Sequence, residues 1–195
     1  MTKACYVGVA GKARKVKKIY TGVANKARKV KKAYVGVGGK ARLFYSADQK
    51  LGYYGTVTGL SQVRCLPAAT TVGNYGLFGG GGYGVFADTL YSTVDAYSAS
   101  LVRSTPTALS QARSGLAATT VGSYGLFGGG SNTGLFNNVA YSTVDAYSAS
   151  LVRSTPTVLS QARGYLAATT VGSYGLFGGG GGTSVYSTVD AYSLV

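Results

Sequence analysis

The stretch AATTVGNYGLFGGG at residues 68–81 returns as AATTVGSYGLFGGG at 117–130 and again at 167–180. Around it, YSTVDAYS recurs at 91–98, 141–148 and 186–193. LVRSTPTALSQAR at 101–113 returns as LVRSTPTVLSQAR at 151–163. The first element repeats after 49 and then 50 residues. These stretches are short, rich in β-branched and aromatic residues, and separated by glycine, serine and asparagine, which is the composition of strands and turns.

A period near fifty made of several short strands is the signature of a propeller blade. Each unit divides into four strands: AATTV, YGLFG, YSTVDAY and LVRSTPTAL. YGLFG is expected as the inner strand, near an axis. Pro106 and Pro156 suit an outer strand, where a missing N–H faces solvent. The blade equivalents fall near 66–109, 115–159 and 165–195. The third unit stops after its third strand, while YYGTVTGLSQVR at 53–64 aligns with VRSTPTALSQAR at 102–113. Residues 54–64 are therefore expected as a closing strand for the last blade.

Three blades are fewer than the four to eight of typical propellers. A homo-oligomer is expected, with a dimer forming a six-bladed ring preferred and a trimeric prism or fibre-like arrangement competing.

Working outward, residues 1–50 form a different module. CYVGVAGKARKVKK is followed by IYTGVANKARKVKK and AYVGVGGKARLFY, with Tyr6, Tyr20 and Tyr34 fourteen residues apart. The pairs at 10–11, 24–25 and 38–39 sit where tight hairpin turns need glycine or asparagine. The pattern predicts a meander of about four short strands, one of them spanning residues 16–23. Thirteen of the 19 lysines and arginines lie in residues 1–45, which hold no acidic residue, so nearly all of the +14 net charge belongs here. Lys15, Lys17, Lys18, Lys29, Lys31 and Lys32 are the candidate anchoring residues, for an acidic surface or a larger assembly. A nucleic-acid arm is a weaker reading of the same charge.

Composition excludes several classes. The 195 residues contain no histidine and no tryptophan, 46% are hydrophobic and 12% charged. The commonest general base and metal ligand is thus missing. No apolar run reaches the roughly 20 residues of a membrane-spanning helix, and the N-terminus lacks a signal-peptide pattern. Cys5 and Cys65 make neither a zinc site nor a CxxC pair; a disulfide and free thiols both remain open, the latter favoured. The GGGG at 79–82 lacks the lysine and helix of a phosphate loop. No unit holds a nucleophile beside a base or two carboxylates to act as acid and base. A non-enzymatic protein without cofactor or metal is expected.

Asp95, Asp145 and Asp190 share one repeat position, as do Arg64, Arg113 and Arg163. A ring of carboxylates holding a cation is one reading of the aspartates; turn or strand-end residues satisfying local N–H groups is the favoured one. A structural hydrogen-bonding role is expected for the arginines. The repeats differ after the triple glycine: GYGVFADTL at 82–90, SNTGLFNNVA at 131–140 and GGTSV at 181–185. Variable loops on a fixed scaffold are where binding surfaces are built. Tyr83, Phe86, Asn132, Leu135 and Phe136 are the candidate ligand contacts, for a host-surface glycan, an acidic polymer or a protein.

Over about 140 residues the units resemble the kelch repeat. Arg64, Arg113 and Arg163 stand at its arginine; Gly79–Gly80, Gly128–Gly129 and Gly178–Gly179 match its double glycine; Tyr97, Tyr147 and Tyr192 match its later tyrosine. Its tryptophan is absent, with Leu101–Val102 and Leu151–Val152 near that place. The resemblance implies an all-β, kelch-like array of four-stranded blades over residues 51–195. YVGVGGKARLFY separately resembles short repeats of bacteriophage and prophage virion and tail-associated proteins. That implies a virion structural protein at the particle surface or tail, made in the host cytoplasm, with other virion proteins as partners. A cellular protein-interaction module is the alternative.

Overall fold

The computed structural model describes residues 6–9, 12–15, 19–23, 26–37, 40–46, 51–84, 89–132 and 139–195. The described residues form strands and connections only, with no helix among them. They fall into two units, 1–55 and 56–195.

The first unit contains three antiparallel hairpins. β1 (Tyr6–Val9) pairs with β2 (Lys12–Lys15), β3 (Tyr20–Val23) with β4 (Lys26–Lys29), and β5 (Lys32–Val37) with β6 (Lys40–Ser46). Val9 faces Lys12, Val23 faces Lys26 and Val37 faces Lys40, so each hairpin spans a two-residue interval at the expected glycine or asparagine pair. Among the described residues the expected continuous meander is corrected to three separate two-stranded sheets. Of the expected strand at 16–23, only Tyr20–Val23 is strand; Ile19 lies outside it, and 16–18 lie outside the described residues. A further backbone bond, Val30 N–H to the Ile19 carbonyl at 2.7 Å, extends the β3–β4 hairpin one pair beyond Tyr20 and Lys29. Like-charged lysines at the strand edges oppose pairing between hairpins.

In the second unit the first repeat supplies β7 (Ala68–Val72), β8 (Tyr75–Gly79), β9 (Gly82–Tyr83), β10 (Thr89–Leu90), β11 (Val94–Tyr97) and β12 (Arg103–Ser104). The second supplies β13 (Ala117–Val121), β14 (Tyr124–Gly128), β15 (Val144–Ser148) and β16 (Arg153–Ser154). The third supplies β17 (Ala167–Val171), β18 (Tyr174–Gly178) and β19 (Val189–Tyr192). Three antiparallel sheets result, ordered β7-β8-β11-β12, β13-β14-β15-β16 and β17-β18-β19, with β9-β10 a separate ribbon. The register repeats faithfully: Ala68, Ala117 and Ala167 face Gly79, Gly128 and Gly178 across the first hairpin of each sheet.

Two expectations need correction. The strands that stand side by side across sheets are β7, β13 and β17, the AATTV strands, rather than YGLFG. Threonine hydroxyls join them: Thr70 to Thr120 and Thr119 to Thr170, both at 2.9 Å, while Thr120 donates to the Thr71 carbonyl and Thr170 to the Thr120 carbonyl. The small, β-branched AATTV sequence suits this crowded position because it allows close approach and offers hydroxyls that can bond sideways. The fourth strand is also only two residues, Arg103–Ser104 or Arg153–Ser154. Beyond it the chain runs past Pro106 or Pro156 without strand and lies between its own repeat and the next sheet. There Leu109 and Leu159 donate back to the Ser92 and Ser142 carbonyls, and Ser110 and Ser160 reach Asp145 and Asp190.

The cores lie between successive sheets. Val72, Leu77, Val94 and Ala96 of the first sheet pack with Leu109, Leu116, Phe127 and Tyr147. Val121, Leu126, Val144 and Ala146 of the second pack with Leu159, Leu166 and Phe177. Close approach depends on glycine: a Cβ on Gly79 would stand 2.8 Å from the Phe127 ring, and one on Gly128 would stand 2.8 Å from the Phe177 ring. Each phenylalanine thus lies over the glycine that ends YGLFG in the preceding sheet.

Candidate functional site

The repeated charged residues meet inside the sheets. Arg113 Nη2 lies 2.8 Å from Asp145 Oδ2, and both side chains are fully buried. The guanidinium also donates to the carbonyls of Phe127 (3.2 Å) and Thr143 (2.8 Å). Asp145 accepts further bonds from the Ser110 N–H and hydroxyl and from Arg153 Nη1 at 3.1 Å. The same lock recurs as Arg64 with Asp95 at 2.7 Å and Arg163 with Asp190 at 2.6 Å. Arg103 adds a longer contact to Asp95, Nε to Oδ1 at 3.8 Å. A buried ion pair needs further hydrogen bonds to offset its desolvation. Here backbone carbonyls serve the arginine Nη groups and amides serve the carboxylates, while the Nε atoms of Arg64, Arg113 and Arg163 are buried without a partner among the described residues.

These aspartates sit within strands β11, β15 and β19 instead of at strand ends, and the N–H groups they satisfy come from the preceding LSQ-x-R segment. Among the described residues no group of three histidine, cysteine, aspartate or glutamate side chains is placed to hold a metal. Each carboxylate faces its own arginine instead.

The lock explains where residues 54–64 go. They form no strand. Ser61 N–H and Arg64 bind Asp95, the Thr58 carbonyl accepts from the Tyr97 hydroxyl at 2.8 Å, and the Gly59 carbonyl accepts from Arg103 at 2.6 Å. The segment clasps the first sheet as 107–113 clasps the second, where the Tyr147 hydroxyl donates to the Thr107 carbonyl. The expected closing of the last sheet by 54–64 is therefore replaced by closure of the first. The third sheet keeps three strands.

Burial tunes the aromatic and basic groups of the lock. It lowers the Arg113 pKa from its ordinary value, opposed mainly by Asp145. Burial first, and Asp145 second, push Tyr147 well above the usual tyrosine range. Tyr192 is raised to about 12 by burial and Asp190. Tyr147 and Tyr192 therefore keep their protons near neutrality.

The sequence reading missed two polar partners. Ser61, Ser110 and Ser160 give their N–H groups to the aspartates. Gln62, Gln111 and Gln161 pair with Thr93, Thr143 and Thr188. Their signal was present in the invariant SQ before each alternate residue and arginine.

The residues expected for ligand contact lie in the variable segment after each triple glycine. In the first repeat it opens as the β9–β10 ribbon, with Tyr83 59% exposed beside Thr89. In the second, Ser131 bridges Ala140, and Asn132 accepts the Val139 N–H through Oδ1 at 3.0 Å. In the third, Gly181 bridges Val185 across a tight turn. The three segments leave equivalent sheet ends, and a Cβ on Gly182 would lie 3.3 Å from Ala140 Cβ, so the second and third adjoin. Tyr83 and Asn132 are thus placed on this face; Phe86, Leu135 and Phe136 lie outside the described residues.

Of the basic candidates, Lys15 is in β2 and Lys29 in β4, while Lys29, Lys31 and Lys32 are exposed. Lys17 and Lys18 lie outside the described residues, as does Cys5. Cys65 is exposed and free, its Sγ 3.3 Å from the Gly82 carbonyl.

No family model and no curated protein matches this chain. Among solved structures it is similar to that of YjhT, at a TM-score of 0.59 and 14% identity, over 70% of this chain. The match spans 44% of the YjhT chain. At that identity the likeness concerns the fold alone.

Proposed function

We propose that residues 56–195 are kelch-like propeller blades serving as a non-enzymatic binding scaffold, with the variable segments after the triple glycines as the contact face. The observation that carries this reading is the division of labour among the repeats. Arginine, aspartate, tyrosine, serine and glutamine at invariant positions bind one another and the backbone, whereas the segments that differ open at one end of the sheets. Exposed Tyr83 and polar Asn132 suit a sugar face or a protein surface, since an aromatic ring stacks on apolar C–H faces and an amide offers both donors and acceptors. The bacteriophage or prophage particle implied by the basic repeats is the setting we propose, with the lysine-rich hairpins attaching the chain to other virion proteins and the scaffold meeting the host surface.

The test replaces residues 83–89 and 132–139 with the short third-repeat connection. Binding to purified host cell-wall polysaccharide is then measured by biolayer interferometry, alongside thermal melting. Loss of binding with an unchanged melting temperature is expected. Retained binding that vanishes only when residues 1–45 are removed would refute the reading.

A further inference from the structure

We propose that the outer flank of the third sheet receives the outer flank of the first sheet from a second copy of this chain, and that two such head-to-tail seams close a ring of six sheets. The seam needed already exists twice within the chain, between the first and second sheets and between the second and third. Its parts are a phenylalanine on one side and a glycine slot on the other.

Phe127 fills the slot at Gly79 and Phe177 fills the slot at Gly128, and both rings are fully buried. Gly178, the third member of the series, has only Val189 near its Cβ position. It lines an apolar cleft of about 240 Å³ with Ala167, Ala168, Leu176 and Val189. Phe78, the first member of the other series, is 36% exposed. The unfilled slot and the unseated ring are thus the two halves of one contact, carried on opposite flanks.

The neighbouring positions agree. Val72 and Val121 are 1% and 3% exposed, whereas the equivalent Val171 is 57% exposed. Gly125 and Gly175 approach those two buried valines; Gly76, their equivalent in the first sheet, has nothing within 4 Å of its Cβ position. Val94 and Val144 are fully buried, and Val189 is 58% exposed.

Backbone groups continue the series. Gly81 and Gly130 donate to the carbonyls of Arg113 and Arg163, so Gly180 is positioned for the carbonyl of the partner's Arg64. Leu109 and Leu159 donate to Ser92 and Ser142, which places Leu60 of the partner subunit against Ser187. The flanks differ, so the contact is heterologous; it stays finite when the rotation closes. Six sheets lie within the range of closed propellers.

Sedimentation velocity of the full 195-residue chain over a concentration series tests this. The wild type is expected at twice the 19.9 kDa chain mass. Phe78→Arg and Val189→Arg each alter one exposed flank and are expected to raise the dissociation constant by about 100-fold or more. Circular dichroism should show that both variants keep their fold. Mixed together, they should re-associate, because the intact third sheet of the Phe78 variant meets the intact Phe78 of the other. A monomeric wild type, a trimer or open polymer, a dimer indifferent to both variants, or a mixture that stays monomeric would each overturn the proposal.

Discussion

Replacing Asp145 with asparagine tests whether the arginine lock holds the sheets. The substitution keeps shape and an acceptor for Ser110 N–H but removes the charge beside two arginines. Arg113, fully buried, would keep only the Phe127 and Thr143 carbonyls. Breaking such a pair by removing one partner costs about 3–5 kcal/mol, because a buried charge is left uncompensated. Stabilities of single domains are about 5–15 kcal/mol. With an m-value of about 2 kcal/mol/M in urea, the midpoint should fall by about 2 M.

The repeats supply internal controls. Asp95 has one close arginine and one at 3.8 Å, and Asp190 has one with its own side chain 16% exposed. The loss should rank Asp145→Asn above Asp95→Asn, and that above Asp190→Asn, at one fixed protein concentration. Joint replacement of Arg113 by methionine and Asp145 by leucine should recover part of the stability, since Arg113 is then no longer a stranded buried charge, although Ser110 and Arg153 still lose their acceptor. A midpoint shift below about 0.5 M for Asp145→Asn, or an Asp190 effect as large as that of Asp145, would refute the reasoning.

Three further outcomes follow from local geometry. Gly128→Ala drives a methyl to 2.8 Å from the Phe177 ring and should cost about 1–3 kcal/mol in urea unfolding. Leu66 holds a φ of 53°, as does its repeat equivalent Gly115 at 60°, so Leu66→Gly should leave stability unchanged or raise it by about 1 kcal/mol. At alkaline pH the unfolded chain releases its tyrosine protons first, while the fold holds those of Tyr147 and Tyr192. Their contribution is therefore intact below about pH 10 and is lost as pH rises, toward about 12 for Tyr192 and higher still for Tyr147; urea midpoints at pH 8 and pH 11 should converge in the Tyr147→Phe, Tyr192→Phe variant relative to wild type.

Strand order within each sheet was legible because AATTV and YGLFG flank a two-residue Gly-Asn or Gly-Ser turn, and Gly73, Gly122 and Gly172 adopt φ values of 53°, 55° and 58° there. Which strand would face its counterparts was not legible. Alternation along a strand fixes its two faces but not which sheet edge meets a neighbour. The adjacent threonines of AATTV carried the answer through their hydroxyls. The fourth strand was read too long because its β-branched residues suit extended chain whether or not a partner exists. At the candidate site, repetition singled out both arginine and aspartate, but they are 32 residues apart in sequence, as with Arg113 and Asp145. Only the crossing of each LSQ-x-R segment to the next sheet brings them together.

One seam, repeated between successive sheets, is the central feature of this fold. A crystal structure of the full chain tests this most directly. It should show β7, β13 and β17 innermost in a two-fold ring of six sheets, with the partner's Phe78 seated over Gly178. Sheets arranged with YGLFG innermost, or a Gly178 cleft left open in every copy, would contradict it.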